Sequence, residues 1–154
     1  MIEILEGQTL EINNLISFRG CLTQAEIESI GKDMEAFIEQ QGACRAGNPV
    51  TATYGMNGDK IEIELLIPID GKIEASDKYS YKEKLKIVNA VVAKHTGHPA
   101  GLQDACNELN QYIAKQKLVP VTVGYNVTKK VDAVNLENTE IDIYVGISNE
   151  KWIL

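Results

Sequence analysis

The chain has 154 residues, of which 44% are hydrophobic and 24% are charged, values that are typical of a globular domain and argue against disorder. Its net charge of −7 disfavours binding to the phosphate backbone of nucleic acids. The acidic residues are concentrated in the first half, because residues 1–77 hold 5 basic and 14 acidic residues, whereas residues 78–154 hold 10 and 8.

Membrane insertion and export have no support in the sequence. No apolar run approaches the ~20 residues of a membrane-spanning helix. The N-terminal segment carries three glutamates and no early Lys or Arg, unlike a signal peptide. The three cysteines are widely spaced, as is typical of free thiols in a reducing compartment. We therefore expect a cytoplasmic protein with no membrane or direct nucleic-acid partner; the sequence leaves its oligomeric state open.

The first half of the chain predicts a strand, a helix and two further strands. An apolar run at 14–20 predicts the first strand. Thr23 and Glu26 then form a capping box. Apolar residues follow at the spacing of one helix face, at Ile27, Ile30, Met34, Phe37 and Ile38. Gly42 suits the end of that helix. Runs at 50–54 and 62–69 predict two strands joined by a hairpin turn at 57–59.

The second half repeats this order. Apolar runs at 89–97 and 119–125 predict strands, and 140–147 matches 62–69 in chemical class at most positions. The spacing of the helix face recurs at Leu102, Ala105, Leu109, Tyr112 and Ile113. We predict one domain over 1–154, with a first repeat at about 1–70, a link at about 71–82 and a second repeat at about 83–154.

Two such repeats predict an α+β fold. Duplicated β-α-β-β units are expected to form one antiparallel sheet with both helices on one face. A pseudo-two-fold axis relating the units predicts a groove on the other face, which is a natural site for a ligand.

Two carboxylates occupy equivalent positions in the repeats. Strand alternation places Glu64 and Asp142 on the sheet face away from the helices. A groove there would have an acidic centre that attracts cations. The residues alone favour the alternative, a solvated strand face, for which alternating charge is normal.

Several aromatic side chains are candidates for the walls of that groove. Tyr144 shares the strand face of Asp142, and Tyr54 and Tyr125 fall in corresponding short strands. Phe18 lies near the end of the first strand. Trp152 either folds over the pocket or anchors the C-terminus. Aromatic faces attract cations, in keeping with the acidic centre.

Catalytic and metal centres are not predicted. His95 and His98 lie in a strand-to-helix turn rather than on a helix face, without the further ligands that a metal requires. The glycines are scattered, and no nucleophile elbow or phosphate-binding loop occurs. We expect no cofactor, no metal and no catalytic residue.

Two segments of the second half resemble a known family. The segment from Val92 to Leu102, with His95-Thr96-Gly97 before the helix, resembles the strand, His-Thr-Gly-Pro-Tyr, helix signature of the GyrI-like effector-binding domains. These domains also form the drug-sensing part of AraC-type and BmrR-type regulators. The segment from Glu140 to Ile147 resembles the closing strand of that family. The family fold is the duplicated unit described above.

The resemblance implies binding of a bulky, often cationic hydrophobic compound in the groove between the repeats. A glutamate on the closing strand commonly faces the ligand in this family, and the matching residue here is Asp142, one methylene shorter. The expected ligand-binding set comprises Glu64, Asp142, Tyr144, Phe18, Tyr54, Tyr125 and Trp152. Because the repeat begins within about the first ten residues, we expect a stand-alone domain without a DNA-binding segment.

Two other functions stay open at this point. Some stand-alone members of the family resemble hydrolases of cyclopropane-bearing reactive compounds, which use a glutamate and a tyrosine, so Asp142 or Glu64 could act with Tyr54, Tyr125 or Tyr144. Alternatively, the domain is a protein-interaction module. Its acidic first half, including the first helix, would then dock a basic protein partner.

Overall fold

The computed structural model describes residues 2–131 and 134–148. Within them the chain forms β1 (Ile2–Leu22), α1 (Gln24–Gln40), β2 (Val50–Asn57), β3 (Lys60–Pro68), β4 (Ser80–Thr96), α2 (Leu102–Lys115), β5 (Tyr125–Lys130) and β6 (Glu140–Gly146). The predicted α+β class and the duplicated strand, helix, strand, strand order are confirmed. Across the described ranges, no helix combines the length and the apolarity that a bilayer crossing needs.

The chain divides into two compact units. The N-repeat unit comprises Glu11–Leu85, and the C-repeat unit comprises the chain up to Leu10 together with the chain from Lys86 onward. The sequence assigns the first ten residues to the first repeat, whereas they cluster with the second. The reason is the length of β1, which begins at Ile2 and extends well ahead of the apolar run that predicted it.

In the N-repeat unit, the strands lie in the order β1, β3, β2 and pair antiparallel. Alternate residues of β3 point to opposite faces. Ile63, Leu65 and Ile67 face α1 and pack with its buried residues Met34 and Ile38. The helix therefore covers one face of its three strands, as the apolar spacing predicted.

The C-repeat unit has the matching order β4, β6, β5. Ile143 and Val145 of β6 pack with Leu109 and Ile113 of α2 in one core cluster. Leu109 is the repeat mate of Met34, and each is almost completely buried, at 1% and 0% exposed. The two units thus use the same helix positions to cover the same strand face.

The start of α1 and the first hairpin also follow the sequence. The Thr23 hydroxyl accepts from the Glu26 amide at 3.3 Å, and the Glu26 carboxylate accepts from the Thr23 amide at 3.1 Å. This second bond lowers the pKa of the Glu26 carboxyl. The hairpin between β2 and β3 turns through Gly58, which has a φ of +66°. Glycine adopts this left-handed conformation without steric cost because it has no Cβ.

Both helices end in the same backbone motif. In α1 the Ala43 amide donates to the Ile38 carbonyl at 3.1 Å, and in α2 the Leu118 amide donates to the Ile113 carbonyl at 3.0 Å. Each motif needs one residue at positive φ. That residue is Gly42 in α1, with φ +77°, but Lys117 in α2, with φ +57°. The second helix therefore carries a strain that the first avoids.

Exchanging these two residue types tests the motif. We expect Lys117→Gly to raise the free energy of unfolding by about 1 kcal/mol, because a left-handed conformation costs a residue with a Cβ about that much. Gly42→Lys should lower it by a similar amount, since a Cβ at Gly42 meets no atom within 4 Å and only the backbone strain is added. Denaturant unfolding measures both changes.

Gln116→Gly is the matched control, because Gln116 precedes Lys117 and has an ordinary φ of −84°. It should lower stability. If Lys117→Gly also lowered stability, the strain at Lys117 would be refuted.

Candidate ligand-binding site

The two repeat-mate carboxylates are both buried. Glu64 and Asp142 are each 5% exposed. They lie on the strand faces opposite α1 and α2, as alternation predicted, and Leu66 beside Glu64 is fully buried on the same face. A solvated face is therefore the wrong interpretation for these two positions. A buried carboxylate is costly unless a cation or hydrogen-bond donors compensate it, so its partners decide its role.

Glu64 has partners on both carboxylate oxygens. The Tyr54 hydroxyl donates to Oε1 at 3.1 Å, and the Lys82 ammonium donates to Oε2 at 2.7 Å. Lys82 lies in β4, at the end of the link that the sequence predicts. The charge of Glu64 is thus compensated by Lys82 and Tyr54, which belong to the same unit.

A second cation closes this cluster. The Arg19 guanidinium stacks over the Tyr54 ring, 3.7 Å from its centroid, and also bonds to Glu62 at 3.1 Å. Arg19 lies directly opposite Glu64 on the neighbouring strand β1. The phenol is therefore held between a guanidinium and a carboxylate.

Asp142 has a sparser environment. Lys94 lies opposite it on β4, and the Lys94 ammonium is 3.7 Å from Oδ2, an ion-pair separation longer than a hydrogen bond. The Lys94 side chain is 47% exposed and that of Lys82 is 40% exposed, so water screens both pairs and the longer separation distinguishes the pair of Asp142. In the described parts of the chain, this is the one ion pair that Asp142 makes. Its charge is thus less compensated than that of Glu64.

A pocket of about 750 Å³ opens beside Asp142, entirely within the C-repeat unit. Three carboxylates, two lysines and one tyrosine contribute to its wall. Its lining consists of Ile2, Glu3, Lys94, His95, Thr96, Lys129, Glu140, Asp142 and Tyr144. The sequence predicted Asp142 and Tyr144 as ligand-binding residues. It missed Glu3, Lys94 and Lys129, although Lys94 is the repeat mate of Arg19 and could have been found from the repeat.

Each unit has a β-bulge at the equivalent place in the strand that pairs with its acidic strand. The pairing of β2 with β3 shifts between Thr53 and Gly55, and the pairing of β5 with β6 shifts between Thr128 and Lys130. The extra residue of a bulge is aimed differently from its neighbours. That residue is Tyr54 in the N-repeat unit, and its repeat mate in the C-repeat unit is Lys129.

Tyr54 and Tyr125 lie in the corresponding strands β2 and β5, as the sequence predicts. Within those strands they do not occupy equivalent positions, because Tyr125 lies opposite Tyr144 whereas its repeat mate Val50 lies opposite Leu66. The residue that takes the place of Tyr54 in the C-repeat unit is Lys129.

Tyr144 is 9% exposed at the pocket. Burial raises the pKa of its hydroxyl, and the negative charge of Asp142 raises it further, because both disfavour the phenolate. The Lys129 ammonium lies 6.0 Å from the centre of the Tyr144 ring. The ring therefore stays a neutral phenol with a face that a cation can approach.

The other described residues of the predicted set do not line this pocket. Phe18 instead packs in the core with α1 and contacts Tyr79 edge-on, at a centroid distance of 6.2 Å. Glu64 and Tyr54 form their own cluster in the N-repeat unit. Tyr125 lies half-buried opposite Tyr144. Trp152 lies outside the described residues.

The two histidines have structural contacts. His95 Nε2 lies 3.1 Å from the His98 carbonyl, and His98 Nδ1 accepts from the Ala100 amide at 3.0 Å. The second bond caps the short turn before α2. Both rings thus stabilise the turn between β4 and α2, which lies within the segment that resembles the family signature.

No family model and no curated protein matches the chain, whereas several solved structures do. The EcmrR C-terminal domain superposes with a TM-score of 0.73 at 11% identity, over 97% of this chain and 98% of that domain. The EcmrR chain in its DNA complex gives a TM-score of 0.78 at 13% identity over 97% of this chain, which spans 58% of the EcmrR chain.

Two further proteins share the fold. A hydrolase from Listeria innocua has a TM-score of 0.59 at 11% identity, over 96% of this chain and 91% of that one. SAV2435 in its complex with tetraphenylphosphonium has a TM-score of 0.53 at 12% identity, over 97% of this chain and 94% of that one. The chain has the fold of the GyrI-like effector-binding domains. The predicted resemblance is therefore confirmed at the level of fold.

The proximity of Asp142 to Tyr144 is testable by titration. We expect Asp142→Asn to lower the pKa of the Tyr144 hydroxyl, because removing the negative charge makes the phenolate easier to form. Ring-carbon NMR of labelled tyrosine measures this shift. Asp142→Glu is the control and should keep the pKa raised, since the charge is retained. An unchanged pKa in Asp142→Asn would contradict the coupling.

The compensation of Glu64 is testable by stability. We expect Lys82→Met to lower the free energy of unfolding by about 1–3 kcal/mol, because it leaves a buried carboxylate with one partner fewer. Lys84→Met is the matched control, since Lys84 pairs with Glu11 in an exposed ion pair of 3.1 Å. It should cost less than about 1 kcal/mol. Equal losses in denaturant unfolding would show that the Lys82 pair has no special weight.

Proposed function

We propose that this chain binds a small hydrophobic cation in the pocket of the C-repeat unit, with Asp142 contacting the positive charge. The observation that carries the proposal is the incomplete compensation of Asp142 at the wall of an open pocket. The groove between the repeats, which the sequence predicts, stays a prediction. So does the absence of a DNA-binding segment.

The electrostatics of the pocket favour a cation. Asp142 is desolvated, and its described ion-pair partner Lys94 is half exposed and 3.7 Å away. Interactions between charges strengthen as water is excluded. A ligand cation that fills the pocket would displace the water there, so that water would screen its interaction with Asp142 less than it screens that of the half-exposed Lys94. The carboxylate would then gain a closer and less screened partner.

Size and shape also suit an organic ligand. Pockets for drug-sized molecules have volumes of about 300–1,000 Å³, and the volume here is about 750 Å³. Tyr144 provides an aromatic face beside the carboxylate, and cations bind such faces. Ile2 adds apolar surface. The volume of the pocket and its apolar and aromatic surface favour a hydrophobic cation over a small inorganic ion.

A protein of the same fold supports this ligand class. SAV2435 has been determined in complex with tetraphenylphosphonium, a bulky hydrophobic cation. Effector-binding domains pair the fold with recognition of such compounds, as the sequence resemblance implies. At this low identity the likeness extends to the fold alone, and the ligand class is our proposal.

The contacts of Glu64, Tyr54 and Lys82 in the N-repeat unit disfavour hydrolysis. The carboxylate and phenol that a hydrolase would need lie in contact as Glu64 and Tyr54. Lys82 holds the second oxygen of Glu64 at 2.7 Å, so both oxygens are already engaged by protein groups. At the pocket, the interaction between Asp142 and Tyr144 is one of charge, not a hydrogen bond that would align an acid with a phenol. The Listeria hydrolase therefore supports the fold but no reaction here.

The protein-interaction alternative stays a prediction. Of the acidic residues on α1, Asp33 pairs with Lys78 at 3.3 Å and Glu35 pairs with Arg45 at 2.9 Å. These pairs partly compensate the charge that a basic partner would recognise.

Tetraphenylphosphonium tests the proposed function directly. We expect the native protein to bind it, and to bind neutral triphenylphosphine oxide at least tenfold more weakly, because the latter offers no positive charge to Asp142. Asp142→Asn should lose at least tenfold in affinity for tetraphenylphosphonium, which corresponds to about 1.4 kcal/mol. Isothermal titration calorimetry measures each dissociation constant.

Glu108→Gln is the matched control, because it removes one negative charge from the exposed surface of α2 in the same unit. It should bind tetraphenylphosphonium as the native protein does. Equal loss in both variants would indicate attraction by net charge alone and would count against the pocket. Absence of binding to the native protein would refute the proposal.

A further inference from the structure

Lys129 is an unusual component of a pocket for cations. It lines the pocket together with Asp142 and Tyr144. Its ammonium lies 6.0 Å from the centre of the Tyr144 ring. Among residues 2–131 and 134–148, the ion pairs do not include it. Within that part of the chain, a positive charge without a carboxylate partner therefore stands at the wall of the pocket.

The fold does not require a lysine at this position. Lys129 is the extra residue of the β5 bulge, and the same bulge in the N-repeat unit carries Tyr54. Tyr54 uses its hydroxyl to bind the buried acid of its own unit at 3.1 Å. The C-repeat unit has an ammonium at that place instead, so the residue that could satisfy Asp142 as a neutral donor is replaced by a cation.

We propose that Lys129 is a specificity-determining residue that selects ligands carrying an anionic group in addition to their cationic group. The inference rests on the proposed function and names the ligand class more narrowly. The cationic group of such an amphoteric ligand contacts Asp142, and its carboxylate or sulfonate contacts Lys129. A ligand with both charges leaves neither wall residue uncompensated.

Charge and exposure together support this division of roles. Asp142 is buried and negative, whereas Lys129 is exposed and positive. The ligand cation would therefore lie deep and the ligand anion near the opening, where the flexible lysine side chain can reach it. A simple cation would place its charge near Lys129 without an anion to offset the repulsion.

Two dyes test this selectivity, because rhodamine 110 has a free carboxylate and rhodamine 123 is its methyl ester. We expect the native protein to bind rhodamine 110 at least threefold more tightly by fluorescence anisotropy. Lys129→Met should abolish the preference, and Lys129→Arg should retain it. Lys130→Met is the matched control, since Lys130 is the adjacent exposed lysine and does not line the pocket. It should leave the preference unchanged.

Thermal unfolding of each variant verifies that it is folded. Equal or tighter binding of rhodamine 123 to the native protein would overturn the inference, as would an unchanged preference in Lys129→Met. Failure of rhodamine 110 to bind would also overturn it. Tetraphenylphosphonium binding separates the two proposals: if it binds and depends on Asp142 in these cases, the proposed function stands and only the amphoteric selectivity falls.

Discussion

A buried carboxylate on the strand face opposite the helix is the constraint from which the site follows. The helix faces are filled by aliphatic side chains, so each unit has an apolar core that needs no charge. On the other face, Glu64 and Asp142 are both nearly inaccessible to water. A desolvated carboxylate must find a cation or donors, or lose its charge. How each unit meets this requirement determines what that unit can bind.

The duplication allowed the two units to meet it differently. In the N-repeat unit, Tyr54 donates to one oxygen of Glu64 and Lys82 donates to the other, so protein groups satisfy the whole carboxylate. In the C-repeat unit, Lys94 lies farther from Asp142, and a pocket occupies the adjacent space. One repeat thus contains a close cation for its acid, whereas in the other the carboxylate lies at the wall of an open pocket. The common backbone, with equivalent bulges and helix ends, places the corresponding residues of the two units at matching positions.

Two asparagines show how closely the backbone follows the repeat. Asn14 and Asn89 are repeat mates and share a φ of +58°. The carbonyl of each accepts from an amide just beyond the acidic strand of its own unit, at Ile69 and Ile147. These bonds fix the register of β1 and β4 against the acidic strands. Register in turn places the cations opposite the acids, Arg19 opposite Glu64 and Lys94 opposite Asp142.

The sequence by itself determined the α+β class, the duplication, the helix faces and the strand face of both acids, because periodicity and capping are local. Tertiary structure alone decided how deeply the acids are buried and which cations reach them. Lys82 and Lys94 both come from β4, a strand remote in sequence from the acid that each one pairs with. Local patterns carry no information about such pairings. The two bulges were likewise invisible in the sequence, so it did not show that Tyr54 and Lys129 occupy the same place beside the acidic strands of their units.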